Sequence, residues 1–305
     1  MAWVTVGDAG NTPDTRYATP GYGGVSYTYN IGMYEVTNSQ YAEFLNAVAG
    51  ADPNGLYSDD MGTYAGITRS GSSGSYTYSV VAGWGNRPAN YISWYDTLRF
   101  ANWMHNGQPT GDQDISTTED GAYDMSLGSR VVRKPDALVW LPSEDEWYKA
   151  AYYKGGSTSA GYWDYATQSD MPPYSEAPPG TDMVNGSANT GGAVGDLCNV
   201  GAYTAKPSDS AYGTFDQGGN AWEWNEADIY GDGTYRGLRG GYFGSAEMPL
   251  PPWGHLRASF RGNGDPATGQ YSYGTGFRIA GVPEPTTLAF SILAGPLILC
   301  SRRRI

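Results

Sequence analysis

The sequence predicts an α+β fold that is rich in loops, on three observations. Three segments begin with paired helix-capping residues, and four short runs of branched or aromatic residues lie between glycines. The 305-residue chain also carries 44 glycines and 26 tyrosines, with a hydrophobic share of 40 % that is enough for a core.

The first helix is expected after Glu35-Val36, where Thr37 and Gln40 form a capping box ahead of Tyr41, Phe44, Leu45 and Val48 at helical spacing, with Gly50 as its stop. Ser93 and Asp96 open a second helix that carries Leu98, Phe100, Ala101, Trp103 and Met104 and closes at Asn106-Gly107. Ser143 and Glu146 open a third, with Glu144, Asp145 and Glu146 at the positive end of its dipole and Gly155-Gly156 as its end. Strands are expected at Val25 to Tyr34, Arg236 to Tyr242, His255 to Arg261 and Thr275 to Ala280. Gly50 to Gly85 and Gly161 to Tyr212 lack periodicity and read as long loops. Residues 1–281 form one domain in this reading, and no repeat of solenoid or propeller type is present.

Charge and rare residues exclude several function classes. Eighteen basic against 31 acidic side chains give a formal charge of -13, which disfavours a nucleic-acid partner because phosphate binding needs clustered Lys and Arg. Cys198 and Cys300 are too few and too far apart for a disulfide framework, a redox pair or a zinc cluster. His105 and His255, the two histidines, cannot make a three-histidine metal site.

The two termini differ. Met1 to Gly10 lacks the basic and apolar regions of a signal peptide. At the other end, Val282-Pro283-Glu284-Pro285 precedes a 16-residue uncharged run from Thr286 to Ser301 and then Arg302, Arg303 and Arg304. That order is the order of a membrane anchor with a cytoplasmic basic stop, although the run is shorter than the roughly 20 residues of a usual spanning helix. Residues 282–305 resemble the PEP-CTERM sorting signal of exported bacterial proteins. The resemblance implies export, processing by an exosortase, transient membrane attachment through Thr286 to Ser301 as a short hydrophobic anchor helix, and a place in the cell envelope or extracellular matrix. An exported chain is then expected to begin upstream of Met1.

A second resemblance rests on six blocks in order: Glu35-Val36-Thr37-Asn38, Ile92-Ser93-Trp94, Trp140-Leu141-Pro142-Ser143-Glu144-Asp145-Glu146-Trp147, Gly219-Asn220-Ala221-Trp222-Glu223-Trp224, Arg239-Gly240-Gly241 and Gly276-Phe277-Arg278. This series resembles the formylglycine-generating enzymes, or sulfatase-modifying factors, which implies their variant of the C-type lectin fold. Those enzymes oxidise a sulfatase cysteine with two copper-binding cysteines placed shortly after the Arg-Gly-Gly block. Here the two positions fall near Ser245 and Trp253, and neither can be a thiolate, so copper is not expected. A second branch of the family holds non-heme iron with histidines of an added helical domain, and no such motif is present. The resemblance also implies a structural Ca2+ site at Asp216, Gly219, Ala221 and Glu223, whose hard oxygen ligands suit that ion, with Asn189 and Asp196 as fainter candidates for a second. Trp222 and Trp224 read as core residues.

Two functional expectations follow. The preferred one is an exported, envelope-anchored ligand-binding or matrix module without turnover, in which Tyr and Trp of the Gly50 to Gly85 and Tyr242 to Tyr273 loops contact extracellular polysaccharide or peptide. The alternative is an oxidase of the formylglycine-generating type, or another metal-dependent enzyme of the family, with other ligands around Ser245, Glu247, Met248, His255 and Arg257.

Overall fold

A computed structural model describes residues 1–245, 254–268 and 273–283. The three capped helices form where the sequence places their starts. α1 (Asn38–Val48), α2 (Trp94–His105) and α3 (Glu144–Tyr152) each show both halves of the capping box, from Thr37 with Gln40, Ser93 with Asp96 and Ser143 with Glu146. α1 buries Tyr41, Phe44, Leu45 and Val48 along one face, and Phe44 meets Phe100 of α2 at 5.3 Å between ring centres. Phe100 in turn packs edge-on to Phe277 at 5.3 Å. Such ring pairs add about 0.5–1.5 kcal/mol beyond the area they bury.

α3 stops at Tyr152, short of the expected Gly155-Gly156. Tyr153 leaves the helix for an extended conformation and pairs with Tyr162, and their rings pack at 4.9 Å. The three acids of its first turn also do more than complement the dipole. Glu144 takes Arg239 and Arg261 at 2.7 and 2.6 Å, and Glu146, fully buried, takes Arg133 at 3.0 Å.

Two four-stranded sheets carry the rest. β1 (Trp3–Val6), β2 (Tyr29–Gly32), β12 (Ala280–Gly281) and β5 (Val139–Trp140) pair in that order. In the second sheet β10 (Gly262–Gly264), β9 (Arg236–Arg239), β8 (Trp222–Asp228) and β11 (Thr275–Gly276) follow one another, with β8 antiparallel to β9 and parallel to β11. Two expected strands change. Thr275 to Ala280 divides into β11 and β12, which belong to different sheets, and His255 to Arg261 is a series of turns. The latter is held by long-range bonds, Ala258 N–H to Asp164 O at 2.8 Å and Arg257 to the Asp164 carboxylate at 2.5 Å.

Gly50 to Gly85 contains more order than a long loop. A π-turn at Met61–Ala65 leads into an antiparallel hairpin of β3 (Ile67–Ser70) and β4 (Thr77–Val80). Gly161 to Tyr212 remains irregular apart from isolated bridges at Tyr162 and between Tyr165 and Ser169, and the two-residue pairing of β6 (Tyr174–Ser175) with β7 (Ser187–Ala188). Among the described residues no helix is long and apolar enough to cross a membrane. The expected anchor helix, Thr286 to Ser301, lies outside the described residues.

Candidate functional site

The β8–β9 hairpin positions the functional residues, because the strands' ends deliver loops to opposite edges of their sheet. Before β8, the turn from Asp216 to Asn220 is tight, with Asp216 and Asn220 in the left-handed region at φ 62° and 58°. Asp and Asn tolerate that conformation better than other side-chain-bearing residues. Gly219, at φ 100°, must be glycine, since a Cβ there would lie 2.5 Å from Asn189 O.

This turn closes over a buried polar centre. Glu223 is fully buried, and both its oxygens are engaged at 2.6 Å by the equally buried Arg278, with Trp147 Nε1 donating at 2.8 Å. Arg278 also donates to Gly32 O and Phe215 O, each at 2.9 Å. Asp216 accepts from Gly201 N–H at 2.7 Å, and burial pushes its carboxyl up to about 6. Glu35, at the entry to α1, accepts from Asn220 Nδ2 at 3.1 Å through one oxygen, and its other oxygen is buried without a partner. Burial, and then the nearby Asp216 and Glu223 charges, hold the Glu35 carboxyl well above the usual range. Asn220 ties the centre to Cys198 N–H at 3.0 Å and to Asn189 at 3.2 Å.

Two buried carboxyl groups, Glu35 and Glu223, and the half-buried Asp216 thus face one guanidinium, and two buried oxygens, Glu35 Oε2 and Asn189 Oδ1, have no donor. That imbalance suits either protonation or a second cation. Of the expected calcium ligands, Asp216 faces this centre, while Glu223 is committed to Arg278, so an ion there would share its carboxylate with a guanidinium. Among the described residues no group of three or more His, Cys, Asp or Glu is arranged to hold a metal ion. The fainter pair lies together, Asn189 donating to the Asp196 backbone carbonyl at 2.9 Å, while the Asp196 carboxylate is engaged by Arg87 at 2.6 Å.

At the same end of the sheet the two expected aromatic loops converge into one row of rings. Tyr64, Tyr91, Tyr273, Phe243 and Tyr242 follow one another at centroid spacings of 6.2, 5.6, 5.4 and 5.1 Å. Tyr64 is 54 % and Tyr273 36 % exposed, and Tyr91 lies between them at 6 %. Tyr91 adopts φ 60°, a costly conformation for a bulky residue. Beside the row, Arg87 stacks on Trp84 at 4.0 Å and binds Asp196, which also accepts the Tyr273 hydroxyl. Nothing local in the sequence marks Glu35 or Tyr91 as a site residue, because each lies two residues before a helix cap and outside its capping box.

Ser245, near the first family cysteine position, is 2 % exposed. Its Oγ accepts from Tyr242 N–H at 3.0 Å and lies 3.1 Å from His255 Nδ1. His255 packs between Trp222 and Phe260 at 5.3 and 4.5 Å. Arg257 is tied to Asp164 and takes no part in this contact. Glu247, Met248 and Trp253 lie outside the described residues, as does Cys300. Cys198 is buried, and that burial, with the Asp216 and Glu35 charges, raises its thiol far above the usual range. It is no thiolate. Trp224 is a core residue, as expected, donating to Ile92 O at 3.0 Å, whereas Trp222 is half-buried.

Comparison with known proteins bears on the fold and the family. Residues 4–282 match the model of the sulfatase-modifying factor enzyme 1-like domain. Treponema denticola variable protein 1 shares the fold at a TM-score of 0.52 and 19 % identity, covering 92 % of this chain and 95 % of that one. The crystal structure of CarF superposes with a TM-score of 0.53 at 19 % identity, over 93 % and 99 % of the two chains. No curated protein matches the sequence. With the family model spanning nearly the whole described chain, this protein belongs to the sulfatase-modifying factor enzyme 1-like domain family.

Proposed function

We propose that this family member is an exported ligand-binding module of the cell envelope or extracellular matrix, and that it works without the family's copper chemistry. The observation that carries the proposal is the row from Tyr64 to Tyr242, which joins two loops far apart in sequence into one aromatic cluster that presents Tyr64 and Tyr273 at the surface over the buried Tyr91 and Phe243. Aromatic faces bury large areas at low entropic cost and suit polysaccharide or peptide chains. Arg87 and Asp196 at its edge add a donor and an acceptor for hydroxyl or amide groups. The C-type lectin likeness of the family's fold belongs to the same proposal. Calcium is a structural component of it, held by Asp216, the Gly219 and Ala221 carbonyls, and a Glu223 shared with Arg278. Export by the PEP-CTERM route, with an exosortase as processing partner and passage through the membrane, rests on the sequence of residues 282–305.

Glycan and peptide arrays probed with the purified chain test the binding. Tyr64→Ala and Tyr273→Ala should each weaken the captured ligand by about tenfold, with folding unchanged because both rings are exposed. Export is tested by mass spectrometry of the mature carboxy terminus in a host with an exosortase. Peptides containing Leu297 to Cys300 in released protein would contradict sorting. The alternative reading, an oxidase with a different ligand set, has the contact of His255 with Ser245 on its side. Tight stoichiometric copper or iron, with oxygen consumption on a cysteine-containing peptide, would establish it over the binding module.

A further inference from the structure

The opposite end of the β8–β9 hairpin holds a cleft of about 580 Å3, bounded by Trp94, Tyr123, Val131, Arg133, Glu226 and Arg236. β8 is seven residues long, so at roughly 3.3 Å per residue the cleft lies on the order of 20 Å from the aromatic row. Its donors and acceptors are unevenly used. Asp228 spends both oxygens on Gly231 N–H and Gly233 N–H at 2.9 and 2.8 Å, and Asp232 accepts from Thr234 N–H at 2.9 Å. These carboxylates build the hairpin turn. The guanidinium groups retain capacity. Arg236, 4 % exposed and stacked on Trp94 at 4.0 Å, donates to Ser129 O at 2.7 Å and Glu226 O at 3.4 Å, while its Nε is buried without a partner. Arg130 lies exposed on the cleft lining, and Val132, 68 % exposed, supplies apolar surface beside Val131.

We propose that this cleft is a separate binding site for a small amphipathic monocarboxylate, whose oxygens face Arg236 and Arg130 and whose apolar body lies against Val131 and Val132. Guanidinium groups with unused donors are the standard partner for a carboxylate. Glu226 sets the pH at which the site works. Tyr123 donates to one of its oxygens at 2.5 Å and Arg133 lies 3.3 Å from the other; Glu146 and Arg236 also act on it, and Arg130, Asp228 and Asp232 line the same cleft. Burial, the largest effect on it, holds its carboxyl up at about 7. Below that pH the protonated group no longer repels a bound anion and can donate to it, so affinity falls as pH rises through about 7.

The test titrates the whole chain with hexanoate and benzoate, each beside its uncharged amide, by calorimetry at about pH 6 and about pH 8. The acids should bind saturably, about tenfold more tightly than the amides, and more tightly at the lower pH. Hydrogen exchange should slow at Val131 to Arg133 and Gly231 to Gly233. Arg130→Gln removes an exposed side chain, so it should leave the circular dichroism spectrum intact while weakening the acids by about tenfold and the amides little. Equal binding of acids and amides overturns the proposal. So does the absence of saturation by about 10 mM, an unaltered affinity in Arg130→Gln, or protection confined to the aromatic row.

Discussion

Arg278→Met probes the buried polar centre directly, because it replaces a fully buried guanidinium by an apolar chain of similar reach. The substitution strips both oxygens of Glu223 of their 2.6 Å partners and leaves Gly32 O and Phe215 O without donors. It also removes the positive charge facing Glu35 and Asp216. Breaking a buried pair by deleting one partner costs about 3–5 kcal/mol, which for a domain of this size lowers Tm by roughly 10 °C. The variant should recover part of the deficit as pH falls toward about 5, since the carboxyl groups left unpaired can then protonate. Urea midpoints for Arg278→Met, Glu223→Leu and the double variant supply the assay. Removing both charges should cost less than the two single losses together, with a coupling of about 2 kcal/mol. Additivity within about 0.5 kcal/mol would show that the pair is not the unit described here and refute the reasoning.

Ser143→Ala should cost about 1 kcal/mol, because Ser143 Oγ accepts Glu146 N–H at 3.1 Å; it should leave ligand binding intact, and lost binding at normal stability would mark the turn as functional. If Asp216 contributes to a calcium site, exhaustive chelation should lower Tm and added calcium restore it, and an unchanged melting curve removes the ion from the account. Stability should also decline as pH rises between about 4 and about 7. Burial holds Asp96 and Asp216 at about 6 against 3.8 unfolded, so each binds its proton more tightly when folded, and that gain is lost on passing the folded midpoint. The loss is on the order of 2–3 kcal/mol for each of the two groups; Asp14 and Asp164, whose midpoints are lowered, act with the opposite sign only in more acidic solution. Urea titrations across that range check the slope, and a rise through it would contradict the assigned directions.

The helix starts were legible because a capping box is a local signal: the partner groups lie three residues apart, and all three boxes form. Strands fared differently. β8 buries Glu223, Trp224 and Asn225 in succession, so it shows no alternation of polar and apolar residues. β3 and β4 each bury a single residue, Ile67 and Tyr78, which is too little pattern to register against their polar neighbours. His255 to Arg261 had the composition of a strand but is bent by bonds to Asp164 and Glu144, which lie far away in sequence. The candidate site divides in the same way. The aromatic loops could be named from composition, but the left-handed Tyr91 that joins them could not, and Glu223 gave no sign that Arg278 would fill its carboxylate.

Buried guanidinium groups answer a need that this fold creates. Long loops carry backbone carbonyls that no ladder satisfies, and each must find a donor if it is buried. Arginine offers five N–H groups from one side chain. Arg239, fully buried, binds Glu144 and also donates to Ala258 O at 2.9 Å and to Phe260 O. Arg278 likewise serves Gly32 O and Phe215 O, and Arg236 serves Ser129 O. A well-packed apolar pair could replace Arg239 or Arg278 together with its carboxylate, often at no loss of stability for the ion pair alone. It could not supply those donors. The arginines stand in for the ladder bonds of strands that were never formed, and so they fix where the loops leave each end of the β8–β9 hairpin, at the aromatic row on one side and at the carboxylate cleft on the other.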